Sequence, residues 1–213
     1  VPTTVISLGT TVRSISAGWE HTCAVTTGGA AKCWGRNSEG SLGDGSFTGR
    51  TSPVDVVGLS SGVLSINADR SLSTCATVSG NSLKCWGYNA SGQLGIGSTT
   101  QQTAPGSAVN LGGGATATQI AVGGSYTCTL LTGGSVKCWG YNGEGQIGDG
   151  TGAIRPFPAD VMTIPSDPAR PDWNADNKPD LVWRNAASGN TYVWYMNGVA
   201  LINDAFIAGI DPA

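Results

Sequence analysis

The sequence predicts an all-β fold made of repeated small sheets, and three observations lead to this prediction. The phrase "KCWGYN" occurs at 84–89 and again at 137–142, and a near copy, "KCWGRN", occurs at 32–37. The cysteines of these phrases stand 52 (33 to 85) and 53 (85 to 138) residues apart. Thirty-three glycines and ten prolines indicate many turns, and the repeats lack the apolar spacing of a helix.

Aligning the phrases reveals a longer unit, in which a β-rich segment precedes each phrase and a glycine-rich segment follows it. The glycine-rich segments read "EGSLGDG", "SGQLGIG" and "GEGQIGDG". Each unit closes at a proline, so the predicted units are 2–52, 53–104 and 105–157. A period near 50 residues with short strands and glycine turns is typical of β-propeller blades rather than of helical solenoids. Three blades form an incomplete ring.

Each unit is interpreted as one four-stranded blade. In the first unit the predicted strands are 12–17, 22–27, 31–36 and 54–57. Blades stack face to face and bury both sides of each sheet, which explains why only 12% of the residues are charged. The tryptophan of each phrase neighbours a cysteine, so its side chain points to the opposite face, where we expect it to fill the space between blades. These residues are Trp34, Trp86 and Trp139.

Six cysteines form three pairs with the same spacing. The pairs are Cys23–Cys33, Cys75–Cys85 and Cys128–Cys138. Turn-forming residues in the middle of each segment predict a β-hairpin, in which the two cysteines face each other near disulfide distance. Disulfides imply an oxidising compartment, whereas the alternative is reduced cysteines that act as small buried hydrophobic residues. A zinc site is disfavoured because the spacing is not that of a zinc finger and His21 is the only histidine.

The segments "HTCAV", "KCWGRN" and "LGDG" carry a specific resemblance. Together they resemble the repeat of the regulator of chromosome condensation family, whose bacterial secreted members often carry this cysteine pair. The resemblance covers about 2–158 and implies a seven-bladed β-propeller. The guanine-nucleotide-exchange role of the nuclear members is not carried over, because no motif here matches their surface residues. An open arc leaves two exposed sheet edges, so either a longer parent chain or another partner is expected to complete it.

A different pattern begins after the third unit, with an outer strand and linker at 158–171 and a small β repeat at 172–213. The latter resembles a single VCBS/FG-GAP-type repeat, whose family loop reads D-x-N-x-D-G-x-x-D. Four side-chain oxygens at positions 1, 3, 5 and 9 of this loop, together with one backbone carbonyl, suggest a flexible oxygen cage for Ca²⁺. The alternative is an Asx-rich turn that needs no metal. The predicted ligands are Asp172, Asn174, Asp176, Asp180 and the carbonyl of Lys178.

Candidate catalytic residues do not recur in the pattern that an enzyme requires. A serine and a tyrosine take the place of His21 in the other two repeats, so His21 is interpreted as a strand residue at a blade edge rather than a base. Asp44 and Asp149 recur in the glycine-rich segment, but Ile96 takes their place in the second repeat, which indicates loop-surface residues. The sequence therefore predicts no catalytic set and no enzyme.

Composition also excludes two kinds of partner. A net charge of −3 without a basic run disfavours nucleic acid. No apolar run reaches the roughly 18 residues of a membrane span.

Together these observations predict a secreted or cell-surface, non-enzymatic structural or adhesion module that acts through protein contacts. Self-association into a closed oligomer or a filament is the expected extension of an incomplete ring. The alternative is a secreted propeller module that recognises or inhibits a specific protein, with Trp19 and Phe47 as rim contacts. A glycan-active enzyme is less favoured, because it requires paired carboxylates in one pocket.

Overall fold

The computed structural model describes two compact units, Val1–Met162 and Thr163–Ala213. The residues that it describes are Val5, Leu8 and 11–161 in the first unit, and the strands Leu181–Arg184, Thr191–Asn197 and Ala200–Ile207 in the second. All regular structure in these residues is β-strand, which confirms the all-β prediction. None of them belongs to a helix with the length and apolar character needed to cross a membrane.

The first blade is a four-stranded antiparallel sheet in which neighbouring strands are consecutive along the chain. Its strands are β1 (Val12–Ala17), β2 (His21–Thr26), β3 (Ala31–Gly35) and β4 (Arg50–Asp55). β4 begins earlier than the predicted 54–57 and runs through Pro53, past the predicted unit boundary at 52. A proline is tolerated there because β4 is an edge strand, where a missing N–H leaves no ladder partner unsatisfied.

The second and third blades repeat this arrangement. The second contains β5 (Val63–Asn67), β6 (Ser73–Val78) and β7 (Ser82–Gly87), and an isolated bridge between Gly87 and Gln102 takes the place of the fourth strand. The third has the spatial order β11-β10-β9-β8. Its strands are β8 (Ala117–Val122), β9 (Tyr126–Leu131), β10 (Val136–Gly140) and β11 (Arg155–Asp160).

The hydrophobic core lies between the blades rather than within any one of them. One cluster joins Val25 and Leu42 of the first blade to Ile66 and Trp86 of the second. A second cluster joins the second blade to the third in the same way. Both faces of the middle sheet are therefore buried, as the low charge content predicts.

The C-terminal unit contains a three-stranded antiparallel sheet in the order β12-β13-β14. Its strands are β12 (Leu181–Arg184), β13 (Thr191–Asn197) and β14 (Ala200–Ile207). The predicted calcium loop at 172–180 lies outside the described residues.

Candidate protein-binding surface

The structure joins all six cysteines in the three pairs that the hairpins place opposite each other. The paired α-carbons are 4.1 Å apart in each bridge. The bridge between Cys23 and Cys33 is buried in the same cluster as Trp86, so it faces the next blade. This disulfide therefore joins two strands at the sheet face that packs against the next blade.

The indole rings connect successive blades from the opposite side. Trp86 and Trp139 are completely buried. The Trp86 indole N–H donates to the carbonyl oxygen of Ser41 in the first blade at 2.9 Å, and Trp139 donates to that of Gln93 in the second at 2.9 Å. Trp34 is only half-buried, since no blade precedes it in the part of the chain that the structure describes.

Each buried indole lies against a glycine of the preceding blade. A Cβ atom added at Gly43 would lie 2.6 Å from Nε1 of Trp86, and one added at Gly95 would lie 2.6 Å from Nε1 of Trp139. No side chain fits at such distances, so these glycines make room for the next blade. Sequence reasoning missed this pairing, although the similar separations, 43 residues from Gly43 to Trp86 and 44 from Gly95 to Trp139, were a signal for it.

Three buried asparagines organise the glycine-rich loops that follow the tryptophans. Asn37, Asn89 and Asn142 are at most 1% exposed. Each carbonyl Oδ1 accepts a backbone N–H five residues on, and each amide donates to carbonyl oxygens of the same loop. The N–H donors are Leu42, Leu94 and Ile147, each at 2.9 Å. Each asparagine therefore holds its loop together through both ends of its amide group.

Two aspartates brace the same loops and are not free for catalysis. Burial raises the pKa of Asp44, but hydrogen bonds from Ser46 and from the Arg50 guanidinium outweigh it and hold that pKa below its usual range. The Arg155 guanidinium lowers the pKa of Asp149 to about 2. Each aspartate side chain is only 7% exposed, so the prediction that they are loop-surface residues was wrong. They are buried because the arginine of the following strand pairs with each carboxylate.

His21 joins the first two blades at the start of β2. It is 3% exposed, and its Nε2 lies 2.8 Å from the hydroxyl oxygen of Thr74. That hydroxyl donates to the Ser41 carbonyl at 3.0 Å, so it accepts from Nε2–H, and Nδ1 has no partner within the described residues. Burial lowers the pKa of His21 from 6.5 to about 4. His21 is therefore neutral at physiological pH and serves blade packing.

Acidification is expected to destabilise the blade stack through His21. Above pH 6.5 the ring is neutral in both the folded and unfolded states, whereas between pH 6.5 and about 4 only the unfolded chain takes up the proton. Stability is therefore lost as the pH falls through this window, by about 2–3 kcal/mol at pH 4.5. Urea unfolding at pH 7 and pH 4.5 measures the loss.

The control for this prediction is His21→Ser, because the second blade carries Ser73 at the equivalent place. The variant removes the titrating ring, so its stability is expected to change much less between the two pH values. The carboxylates with lowered pKa values titrate below this window and affect both proteins alike. Equal losses in the two proteins would contradict the role assigned to His21.

A groove with a volume of about 430 Å³ crosses all three blades at the rim where β1 turns into β2. Trp19 and Arg36 line it from the first blade, Arg70 and Tyr88 from the second, and Ser125 from the third. We call it the rim groove. Its aromatic and guanidinium groups are the side-chain types that contribute most to protein–protein binding.

Trp19 is the most exposed aromatic side chain of the rim groove, and its backbone is held in place. Its indole is 73% exposed, while its backbone N–H donates to the Ser71 carbonyl of the second blade at 3.1 Å. Phe47 is also exposed, at 56%, but lies outside the groove on the loop between β3 and β4. The two predicted rim contacts are thus both exposed, and only one of them lines a concave surface.

The two arginines of the rim groove differ in their charge environment. The Arg36 guanidinium pairs with Glu20 at 2.5 Å and with Glu39 at 3.1 Å. Arg70 is exposed and has no ion-pair partner among residues 11–161. An acidic group of a partner would therefore find an uncompensated positive charge at Arg70.

The predicted metal ligands at 172–180 lie outside the described residues. Within the parts of the chain that the structure describes, no group of three or more His, Cys, Asp or Glu side chains is arranged to hold a metal ion.

Comparison with known proteins identifies the blades. The model of the "Regulator of chromosome condensation (RCC1) repeat" matches residues 12–41 and 117–146, and a second model of the same description matches 85–130. The blades are RCC1-type propeller repeats. This confirms the prediction of RCC-type repeats, whereas the bacterial secreted type and the VCBS/FG-GAP-type repeat stay predictions.

Two curated relatives are longer than this chain. The ultraviolet-B receptor UVR8 of Arabidopsis thaliana is 30% identical over 170 residues, which is 79% of this chain and 38% of the receptor. Human protein RCC2 is 31% identical over 142 residues, which is 66% of this chain and 27% of that protein. The chain thus spans well under half the length of these relatives.

Solved structures agree on the fold. Yeast RCC1 (Prp20), in its structure with Kap60, superposes with a TM-score of 0.64 at 20% identity, over 89% of this chain and 45% of that chain. Human WBSCR16 gives a TM-score of 0.60 at 21% identity, over 86% of this chain and 47% of that one. These likenesses show the propeller-blade fold.

Proposed function

We propose that the chain is a non-enzymatic RCC1-type module that binds a protein partner through the rim groove. Trp19 carries this proposal, because an indole that is 73% exposed on a fixed backbone can be buried by a partner at a small loss of conformational freedom. Tyr88 and the uncompensated Arg70 beside it add stacking and charge-assisted contacts. An acidic, partly aromatic protein surface is the best match.

Known RCC1-type proteins support a binding role. Prp20 was crystallised with Kap60, and its binding to Gsp1p and histones has been studied. Those partners belong to Prp20, and the common element carried over here is binding of a protein by a propeller. An enzymatic role has less support, because none of the residues that line the rim groove is acidic, and glycan hydrolysis needs two carboxylates in one pocket.

The module acts outside the reducing cytosol, as a secreted or cell-surface structural or adhesion unit. The pairing of all six cysteines in bridges, with five of the six cysteines buried, supports this placement, because disulfide bridges persist in oxidising compartments. Self-association belongs to the same proposal, since the first and third blades each have a face that no other blade covers within the described residues.

Calcium binding by the C-terminal repeat is a further part of the proposal. It is supported by the spacing of the oxygen ligands between Asp172 and Asp180 in the sequence.

Affinity capture with the immobilised chain tests the binding role. From the extracellular fraction of its source, the chain is expected to retain one stoichiometric protein, and Trp19→Ala is expected to weaken its binding at least about tenfold. Phe47→Ala is the matched control, because it removes another exposed aromatic ring, one that lies outside the rim groove. Surface plasmon resonance with the purified partner measures both variants.

Two results would contradict this assignment of the rim groove. One is retention of the partner by Trp19→Ala at unchanged affinity, and the other is an equal loss in Phe47→Ala. Repeating the capture with excess calcium and with EDTA separates the C-terminal repeat from the groove, because only a contact that uses the calcium loop depends on the ion.

A further inference from the structure

The loop that carries Arg70 departs from the repeat. Its length is measured by the sequence separation between the first cysteine of each hairpin and the residue paired with it on the preceding strand. This separation is 7 in the first blade (16 to 23) and in the third (121 to 128), but 8 in the second (67 to 75). The second blade therefore has one extra residue where its chain passes the rim groove. We call this connection between β5 and β6, residues 68–72, the Arg70 loop.

Arg70 has an unusual backbone conformation within this loop. Its φ is 51°, in the left-handed region, and among the described residues Asn81 is the only other residue with a side chain that has a positive φ. Asparagine tolerates this region, whereas arginine is disfavoured there by its Cβ. Such conformations persist where the surrounding structure imposes them, and they cluster at binding sites.

Hydrogen bonds tie the Arg70 loop to the backbone of the two aromatic residues of the rim groove. The Ser71 carbonyl accepts the N–H of Trp19 at 3.1 Å, and the Leu72 carbonyl accepts the N–H of Tyr88 at 3.1 Å. The residues that follow Arg70 are thus fixed relative to both rings. The guanidinium therefore starts from a rigid base beside the aromatic side chains.

Asp69 binds the loop to the first blade and leaves the charge of Arg70 free. Its Oδ1 accepts from the Ser16 hydroxyl at 2.8 Å, and its Oδ2 accepts from the Asn67 amide at 3.1 Å. The Ser16 oxygen accepts in turn from the N–H of Ala68 at 2.9 Å. The carboxylate next to Arg70 in sequence is thus engaged elsewhere, and it forms no ion pair with the guanidinium.

The chemistry of the rim groove matches an acidic peptide segment. None of its lining residues is acidic, and its other guanidinium, Arg36, is already ion-paired. A free guanidinium binds a carboxylate through two parallel N–H donors. Trp19 and Tyr88 offer apolar and stacking surface in the same groove. A glutamate or aspartate next to an aromatic side chain would satisfy both parts.

We infer that Arg70 selects an acidic side chain of the partner, and that Asp69, held by Ser16, positions Arg70 for this contact. The inference rests on the proposed function, because it assigns the chemistry that the rim groove recognises. Asp69 is a positioning residue, since it acts through the loop. The contacts that hold the loop lie between the first two blades, so they do not depend on what covers either end of the blade stack.

Two synthetic peptides, acetylated and amidated at their ends, serve as probes. One carries a tyrosine between two glutamates, and the other has glutamines in their place, so the two differ only in charge. Isothermal titration calorimetry measures the binding of each. The wild-type chain is expected to bind the glutamate peptide with a Kd on the order of 0.1–1 mM, at least about fivefold more tightly than the glutamine peptide.

Arg70→Gly separates recognition from folding. Glycine adopts a φ of 51° without the Cβ penalty, so the variant is expected to unfold at about the same urea concentration as wild type. It lacks the guanidinium, and it is therefore expected to bind the two peptides with equal, weak affinity. Arg70→Lys keeps the charge without the fork of donors and is expected to retain part of the preference.

Asp69→Ala tests the positioning role, because charge and position predict opposite results. By charge alone, removing a carboxylate next to Arg70 would strengthen binding of the glutamate peptide. Loss of the contact with Ser16 instead frees the loop, so the preference for that peptide is expected to fall below about twofold. Binding of the glutamine peptide is expected to stay unchanged. Asp69→Asn keeps an acceptor for the Ser16 hydroxyl and is expected to restore part of the preference.

Four results would overturn the inference. They are a wild-type chain that does not prefer the glutamate peptide, a preference that survives in Arg70→Gly, tighter binding of the glutamate peptide by Asp69→Ala, and an equal loss of both peptides in Asp69→Ala. The last would indicate a general collapse of the groove.

The capture experiment with Trp19→Ala distinguishes this failure from failure of the proposed function. If capture depends on Trp19 while the wild-type chain shows no peptide preference, the binding role stands and the inference about Arg70 is wrong. A preference that depends on Arg70, in a chain that captures no partner, would support the inference and count against the proposed function.

Discussion

Trp86→Ala is expected to lower the free energy of unfolding of the blade stack by about 3–5 kcal/mol. The indole is completely buried between the first two blades, and its N–H donates to the Ser41 carbonyl at 2.9 Å. Truncation removes the apolar contacts, leaves a cavity against Gly43, and takes one of two donors from a buried carbonyl. Urea unfolding of the oxidised protein, followed by circular dichroism, measures the loss.

Trp34→Ala is the matched control, because it makes the same change at the same place in the repeat. Trp34 is half-buried and makes no hydrogen bond to another described residue, so the expected loss is about 1 kcal/mol. Both variants are measured at a protein concentration low enough to keep the chain monomeric. Equal losses at the two positions would show that the indoles stabilise their own blades rather than the contacts between blades.

Reduction of the disulfides is expected to remove most of the stability of the blade stack. Each bridge joins cysteines 10 residues apart in sequence and contributes about 2–3 kcal/mol by restricting the unfolded chain. The three together contribute about 8 kcal/mol, which is comparable to the net stability of a typical domain, about 5–15 kcal/mol. Urea unfolding with and without dithiothreitol measures the difference.

A double variant, Cys75→Ala with Cys85→Ala, is the control for general effects of the reductant. It lacks one bridge of the three, so without dithiothreitol its free energy of unfolding is expected to be about 2–3 kcal/mol lower than that of wild type. Adding dithiothreitol is then expected to lower this free energy by less than in wild type, because only two bridges remain to be reduced. Unchanged unfolding curves in the reduced wild-type protein would contradict the stabilising role of the bridges. Circular dichroism at zero urea reports whether the reduced chain remains folded.

The features that sequence reasoning recovered are local ones. Cys23 and Cys33 belong to one hairpin, so the turn between them and the alternation of a strand suffice to place them opposite each other. The feature it missed, the contact of Trp86 with Gly43 and Ser41, joins residues about 45 positions apart in two different sheets. Strand periodicity within one repeat carries no information about which loop of the neighbouring repeat an indole will contact.

The buried aspartates show the same limit. Asp44 was interpreted as a surface residue because Ile96 replaces it in the second repeat. In the structure its carboxylate is 7% exposed and is neutralised by Arg50, which lies in the following strand. The Asp44–Arg50 ion pair of the first repeat and Ile96 of the second occupy equivalent places in their loops. The packing of the loop, rather than the residue types, shows that both places are shielded from water.

By itself, the sequence determined the number of repeats, the all-β character and the pairing of the cysteines, because each depends on spacing within one unit. Tertiary structure decided how the shared motif behaves at each of its three positions. Trp34 and Trp86 occupy the same place in that motif, yet one is half-buried and the other is completely buried. The burial of an indole and the pKa of His21 depend on which blade lies alongside, and that neighbour is set by packing over distances that the local sequence does not encode.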